Sequence, residues 1–322
     1  MEAIEVKEFG STAVLENVEI PEPVLKAGEV LVKVKAAGVN YADIMMRRGG
    51  YIGGPHPPFI PGLEASGIVD IVQNKSSFKP GDPVLFQVPC GAYSEKIAVP
   101  EKELHCLPGS LSFEEGAGIL INYQTAFHLL QTLGQIKQHQ TLIVHAAAGG
   151  VGTAAVQLAK IWGANVIATA GSQEKLDLAA SLGADITINY RKEDFKKIVM
   201  QQTKGEGADL VLESVGGDVF QKSLSCLKHL GKLLVYGISS GRIEEVSTQD
   251  LLFSSKSVSG FHLSSINNNN KLKQDALNCI FDFLINNKCK VILGHKLSLA
   301  EAPRAHYLLE RRKSIGKIVL VP

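Results

Sequence analysis

The stretch Thr141–Gly152, TLIVHAAAGGVG, holds the residues with the clearest chemistry. An apolar run ends in small residues, and helix-compatible sequence follows through VGTAAVQLAKIWGA. The turn reads Ala147-x-Gly149-x-x-Gly152, so side chains are missing where backbone must approach a ligand closely. A strand, tight turn and helix of this kind present N–H groups and a positive helix end to a dinucleotide pyrophosphate. Ala148, Gly149, Gly150, Val151 and Gly152 are the candidate contacts. Alanine at the first glycine position departs from the strict pattern, and the alternative is a βα turn of a parallel sheet with no ligand. The next strand, NVIATA, runs into Gly171-Ser172-Gln173 and carries no acid at its tip. A carboxylate there holds a ribose 2′-hydroxyl and repels a 2′-phosphate. Ser172, Lys175 and Tyr190 instead offer a hydroxyl, an amine and a phenol, a donor set suited to the phosphate of NADPH. The alternatives are a solvent-facing helix lysine and a tyrosine packed at a sheet edge.

These residues need elements to hold them. From 141 to 260 apolar strands alternate with helices: TLIVHA, NVIATAG, ADITIN, ADLVLESVG and KLLVYG are the strands. That rhythm predicts a parallel sheet covered on both faces, doubly wound by right-handed crossovers. Residues 1–120 read differently, as short strands with glycine-rich turns. The stretch from Glu29 to Val39 alternates as a half-buried strand does, and KPGD at 79–82 is a tight connection. This predicts a mostly β domain, a partly closed barrel. SFEEGAGILINYQTAFHLLQTLG switches to a helical period, with Ser112 and Glu115 spaced as a capping box. LKQDALNCIFDFLINN is a later amphipathic helix, SSINNNNK a mobile loop, and SIGKIVLV a strand returning to the first domain.

The chain of 322 residues is long enough for two domains. Its 33 basic and 32 acidic residues nearly cancel, which argues against nucleic acid as a partner. Five scattered cysteines, with no C-x-x-C pair, suit reduced thiols in a cytoplasmic protein rather than a disulfide framework. MEAIEVKEFG does not read as a signal peptide, and no uncharged run reaches 18 apolar residues.

In order and spacing, AAGVNYADIMMRRGGY, PGLEASGIV, KPGDPV, AAAGGVG and IGKIVLVP resemble the quinone oxidoreductase branch of the medium-chain dehydrogenase/reductase superfamily. Within it, INYQTAF, GFHL at 260–263 and RRKSIGKIVLVP look like the VAT-1 homologues. The resemblance implies a GroES-like domain over 1–122, completed by 262–322. A Rossmann domain would occupy 123–261, with the active cleft at their junction. It implies homodimers, and reduction of quinones or activated alkenes by NADPH. It places Lys175 and Tyr190 on the 2′-phosphate together with Arg312, whose alternative is a solvated charge in ERRK. It also places Asn40, Thr125, Gly237 and Phe261 near the nicotinamide or its ribose, though Phe261 can equally gate the cleft or cover an apolar core.

Zinc-dependent relatives carry a cysteine where this chain has Asn40, and a histidine and acid where it has Leu63 and Glu64. Zinc needs three or four nitrogen or sulfur ligands at close spacing, which these residues do not supply. The expectation is no metal. Glu64 then supports the Asn40 loop through hydrogen bonds, and His56, His105, His128 and His145 are ordinary surface, turn or core residues. Without a Lewis acid, alcohol oxidation is disfavoured, whereas a quinone or enone needs mainly positioning and a donor at its oxygen. Asn40 and Tyr51 are the candidate catalytic residues. Tyr51 has interdomain packing as its alternative, and Asp43 is as readily a loop-ordering residue. Met45 stands where many quinone reductases carry tyrosine, which weighs against fast reduction of small quinones. A second function therefore stays open: an NADPH-binding interaction protein with weak turnover and a membrane or organelle partner, although no transmembrane segment is indicated.

Overall fold

The computed structural model describes residues 1–73 and 76–322. The chain divides into two compact units, Met1–Ile121 with Val291–Pro322, and Asn122–Lys290.

The first unit is built on the strand Glu29–Val39. Its residues alternate, and Val30, Val32, Val34, Ala37 and Val39 fall into one apolar core. Eleven residues are enough for this strand to change partners along its length. Glu29–Lys33 pair with Lys96–Pro100, Ala37–Val39 pair with the terminal strand Lys317–Val321, and Glu64–Ile71 follows almost the whole edge. All three pairings are antiparallel. The sheet continues through Pro83–Gln87 and Leu104–Cys106 on one side and Leu293–Ser298 on the other. Phe86, Tyr93, Ile318 and Leu320 close the core.

The second unit holds six parallel strands in the order Ile186–Asn189, Asn165–Ala170, Thr141–Val144, Ala208–Glu213, Leu227–Val235 and Ser257–Gly260. The first strand in sequence lies inside the sheet. The chain builds outward from it on one side, then crosses to the other. The reversal leaves a crevice at the carboxyl end of Thr141–Val144, where the glycine turn begins. Ile143, Ile167, Ile188, Val211 and Leu233 form the buried layer with Phe195, Val199 and Phe220. The edge strand Ser257–Gly260 is short and polar, and periodicity does not reveal it.

Three elements differ from the sequence expectation. The linking helix is broken into Phe113–Gly116, Asn122–Phe127 and a π-helical turn, His128–Leu133. The Ser112–Glu115 capping box does form: Glu115 N donates to Ser112 Oγ at 3.2 Å, and Ser112 N to Glu115 Oε2 at 2.8 Å. The break spans 117–121, and the chain passes from one unit to the other between Ile121 and Asn122. The asparagine run is ordered, because Asn269 caps the helix Asn270–Ile285 by accepting from Leu272 N at 3.1 Å. Finally, the first unit resumes at 291 rather than 262. The Asn270–Ile285 helix buries Ala276, Leu277, Ile280, Phe283 and Leu284 and packs on Asn122–Phe127. Phe283 meets Trp162 with ring centroids 6.2 Å apart, and Gln157 clamps Lys290 through its N–H and carbonyl. The apolar face of this helix is thus spent inside the second unit.

Candidate active site

In the second unit, the turn after Thr141–Val144 is closed by Gly149 N donating to Ala146 O at 2.8 Å, with Ala146 at φ 50°. The helix Gly150–Ile161 starts there with Gly149 as its N-cap and no side chain on its first N–H groups. The positive helix end is therefore open at Gly150 and Val151, which are partly exposed. Close packing explains the other small residues. A Cβ on Gly152 would sit 2.3 Å from Ala146 O, and one on Gly150 2.2 Å from Asn122 Nδ2. Ala147 and Ala148 are buried beneath the turn. His145, just before it, is a core residue. Its ring bonds Thr169 Oγ1 at 2.9 Å and Ser223 Oγ at 2.7 Å, and burial lowers it to about 4.

A second feature lies at the tip of Asn165–Ala170. A Cβ on Gly171 would come within 2.8 Å of the Tyr190 hydroxyl and 3.0 Å of Arg191 Nε, so a phenol and a guanidinium stand over bare backbone. Ser172 begins the next helix without using its side chain as a cap, and Lys175 lies in that helix's first turn. Tyr190 and Arg191 thus present a phenol and a guanidinium at the entry to the helix that carries Lys175. Arg191 escapes the sequence reading, although its place directly after Tyr190 at a strand end is a usable signal. Arg312 belongs to the first unit, in a turn at φ 56° after the helix Ala302–Glu310.

Thr125 is buried on Asn122–Phe127. Phe261 N donates to Val235 O at 2.8 Å, and its ring lies 6.0 Å from that of His128. Burial lowers His128 to about 4, and its Nε2 has no hydrogen-bond partner among the described residues. Gly237 faces Ser214, where a Cβ would be 3.2 Å from Ser214 Cβ. The loop carrying Ser214 is held by Glu213, another residue the sequence reading missed. Its buried carboxylate accepts from Val215 N at 2.7 Å and Gly216 N at 3.0 Å.

In the first unit, Asn40 stands where Glu29–Val39 turns into the helix Tyr41–Arg47. Its Nδ2 donates to Glu64 Oε1 at 3.0 Å and Gly38 O at 3.3 Å, and its Oδ1 accepts from Lys317 Nζ at 2.8 Å. Lys317 also pairs with Glu64 Oε1 at 2.5 Å, and Glu64 Oε2 accepts from Ile121 N at 2.9 Å. The expected support of Asn40 by Glu64 is present, and Lys317 is the unexpected member. Both amide hydrogens of Asn40 are committed, so donation to a substrate oxygen requires releasing the longer bond to Gly38. Among the described residues no group of three or more His, Cys, Asp or Glu is arranged to hold a metal ion.

Asp43 orders the loop. Its Oδ2 accepts from Asn40 N at 2.8 Å and from the Tyr93 hydroxyl at 3.0 Å, while Oδ1 has no partner among the described residues. Tyr93 meets His306 Nε2 at 3.3 Å, and Arg47 Nη1 meets His306 Nδ1 at 3.2 Å. Because a guanidinium only donates, Nδ1 accepts and the ring proton sits on Nε2. Donation thus runs from Arg47 to His306, to Tyr93, to Asp43, and Arg47 is itself balanced by Glu310. Burial raises the Asp43 carboxyl to about 7 and holds His306 down to about 3. Tyr51 is half-buried against the core, and burial, then the charge of Asp43, pushes its phenol up.

Residues 26–110 match the alcohol dehydrogenase GroES-like domain, and residues 150–282 match the family described as zinc-binding dehydrogenase. Quinone oxidoreductase 1 of Escherichia coli (strain K12) is 34% identical over 332 residues, covering 99% of each chain. The synaptic vesicle membrane protein VAT-1 homolog of Danio rerio is 33% identical over 316 residues, and the chain spans 65% of that protein's length. The structure of Escherichia coli quinone oxidoreductase complexed with NADPH aligns over the full length of both chains at 34% identity, with a TM-score of 0.95.

The Asp43 geometry has a consequence for stability. A carboxyl with its folded value raised favours the folded state at low pH, and that contribution is lost as pH rises from about 4 through about 7. Asp43→Asn keeps an acceptor for Asn40 N and Tyr93 and cannot ionise. Relative to this variant, the parent is expected to lose stability across that interval, each unit of displacement being worth about 1.4 kcal/mol. The buried His128, His145 and His306 act in the opposite direction, so the difference between the two proteins isolates Asp43. Urea unfolding of both at a series of pH values measures it, and parallel stability curves would refute the assignment.

Proposed function

The chain belongs to the quinone oxidoreductase branch of the medium-chain dehydrogenase/reductase superfamily, and from that premise we propose that it reduces a quinone or activated alkene with NADPH and without zinc. The observation that carries the cofactor choice is the cradle over Gly171, with a phenol and a guanidinium overhead and no acid at the strand tip. NADPH, when bound, supplies the hydride. The backbone N–H groups of Gly150, Val151 and Gly152 hold the pyrophosphate at the helix end. Ser172, Lys175, Tyr190 and Arg191 hold the 2′-phosphate, with Arg312 as a further candidate. Thr125, Gly237 and Phe261 orient the nicotinamide end. Tyr51, kept protonated by its surroundings, donates to the acceptor oxygen as charge develops there. Asn40 donates its amide to the acceptor oxygen or the nicotinamide ribose once the longer bond to Gly38 O is released.

Freedom from zinc is supported by chemistry rather than by vacancy. Asn40 and Glu64, at positions where zinc-dependent relatives place ligands, share an ammonium. A cation already neutralises the one carboxylate, and an amide and a leucine complete a poor donor set for zinc.

Homodimer formation is also proposed. Ile243, Leu252 and Phe253 are exposed in the segment leading into the edge strand Ser257–Gly260, which has backbone groups open to pairing. The same apolar residues support the second reading, a VAT-1-like interaction protein bound to a membrane or organelle partner. No helix among the described residues is long and apolar enough to cross a membrane, so such binding would be peripheral.

NADPH is expected to bind at least tenfold more tightly than NADH, a difference of about 1.4 kcal/mol. Lys175→Ala and Arg191→Ala should each weaken NADPH and leave NADH nearly unchanged; titration with both cofactors decides this, and equal affinities for the parent would remove the phosphate cradle. Against a panel of quinones, enones and enals, NADPH oxidation should survive chelator treatment, and Tyr51→Phe should lower kcat/KM about tenfold with NADPH affinity retained. One zinc per subunit, lost together with activity, would defeat the metal-free mechanism. Light scattering should show dimers that Phe253→Asp converts to monomers. Monomeric parent protein that sediments with lipid vesicles without NADPH would favour the second reading instead.

A further inference from the structure

The amide of Asn40 lies between groups of opposite hydrogen-bonding character. On its nitrogen side are Glu64 Oε1 and Gly38 O, which only accept; on its oxygen side is Lys317 Nζ, which only donates. The flipped amide would set N–H against ammonium and oxygen against carboxylate, so one orientation is allowed. Lys317 and Glu64 are 2% and 1% exposed by side chain, so water cannot stand in for either. The lysine stem reaches this point only because residue 38 is glycine: a Cβ there would lie 2.7 Å from Lys317 Cε and 2.9 Å from Glu64 Cγ.

We propose that Lys317 is a positioning residue, whose ammonium, held by Glu64, locks the Asn40 amide in one orientation. The proposal rests on the reading of Asn40 as an acceptor-site residue. It goes beyond that reading by making a residue of the terminal strand, 277 positions away, responsible for how Asn40 acts. Lys317 touches no reacting atom in this scheme. It fixes Asn40 directly through one hydrogen bond, and indirectly through its ion pair with Glu64.

The test uses full-length protein labelled with ¹⁵N-asparagine, the Asn40 side-chain resonances being assigned by their loss in Asn40→Asp. In the parent they should be protected from deuterium exchange. In Lys317→Met exchange should quicken and kcat/KM fall, each by roughly tenfold, with NADPH affinity within about twofold of the parent. Because Lys317→Met leaves Glu64 unpaired, Lys317→Met/Glu64→Gln is made beside it. This double variant should recover the thermal midpoint but neither the protection nor the turnover, which separates positioning from a merely structural role. Parent-like protection and turnover in the double variant would overturn the proposal. If the Asn40 amide loosens as expected but the parent reduces no acceptor in the panel, Lys317 keeps its role and the acceptor reading fails.

Discussion

The buried pair of Lys317 and Glu64 is the constraint around which the first unit is arranged. An ammonium and a carboxylate removed from water must stay together, because losing one leaves an uncompensated charge at a cost of about 3–5 kcal/mol. This pair joins the start of the terminal strand to the start of Glu64–Ile71, and both to Asn40 at the end of Glu29–Val39. Its second carboxylate oxygen takes the N–H of Ile121, the last residue before the chain enters the other unit. Four separate segments therefore converge on two charges. Gly38 is part of the same requirement, since a Cβ there would also lie 2.1 Å from Ala117 O.

The short helix Tyr41–Arg47 shows how much depends on such contacts. Seven residues do not make a stable helix in water. This one is held at its start by Asp43, which accepts from Asn40 N, and at its end by Arg47, which is buried on His306, Glu310 and Gly10 O. The two ends are linked by the donation chain through His306 and Tyr93. Every group in the chain has one direction open to it, so the hydrogen bonds reinforce one another. This satisfaction stops at Asp43 Oδ1, which has no partner among the described residues.

The second unit follows a different logic, in which bare backbone supplies the chemistry. Its glycine turn sits where the strand order reverses, and the helix that follows has no side-chain cap to compete with a ligand. At the neighbouring strand tip, the missing side chain of Gly171 lets Tyr190 and Arg191 close onto bare backbone. Neither feature relies on a buried ion pair. The first unit's side-chain network and the second unit's exposed N–H groups thus divide the proposed work between an acceptor and a phosphate-bearing cofactor.

Much of this was legible from the chain alone, wherever the signal was local. The alternation of Glu29–Val39, the five apolar strands of the parallel sheet, the Ser112–Glu115 cap and the turn at Gly149 each depend on residues a few positions apart. Backbone geometry converts such spacing directly into structure. The support of Asn40 by Glu64 was legible too, through the resemblance that aligns both with a metal site. Lys317 was not, because strand register alone carries it to Asn40, and nothing in IGKIVLVP distinguishes a buried lysine from a solvated one. The pairing of Arg47 with His306 was hidden for the same reason. The place of Arg191 was hidden because its side chain meets Gly171 only once the strands Asn165–Ala170 and Ile186–Asn189 lie side by side. The helix Asn270–Ile285 was rightly read as amphipathic, but periodicity gives the width of an apolar face and not the surface that covers it. The sequence by itself determined most of the strands, turns and helices, since those follow from short-range sterics and burial pattern. Only the tertiary structure decided which distant charges meet, since that depends on register and packing summed over the whole chain.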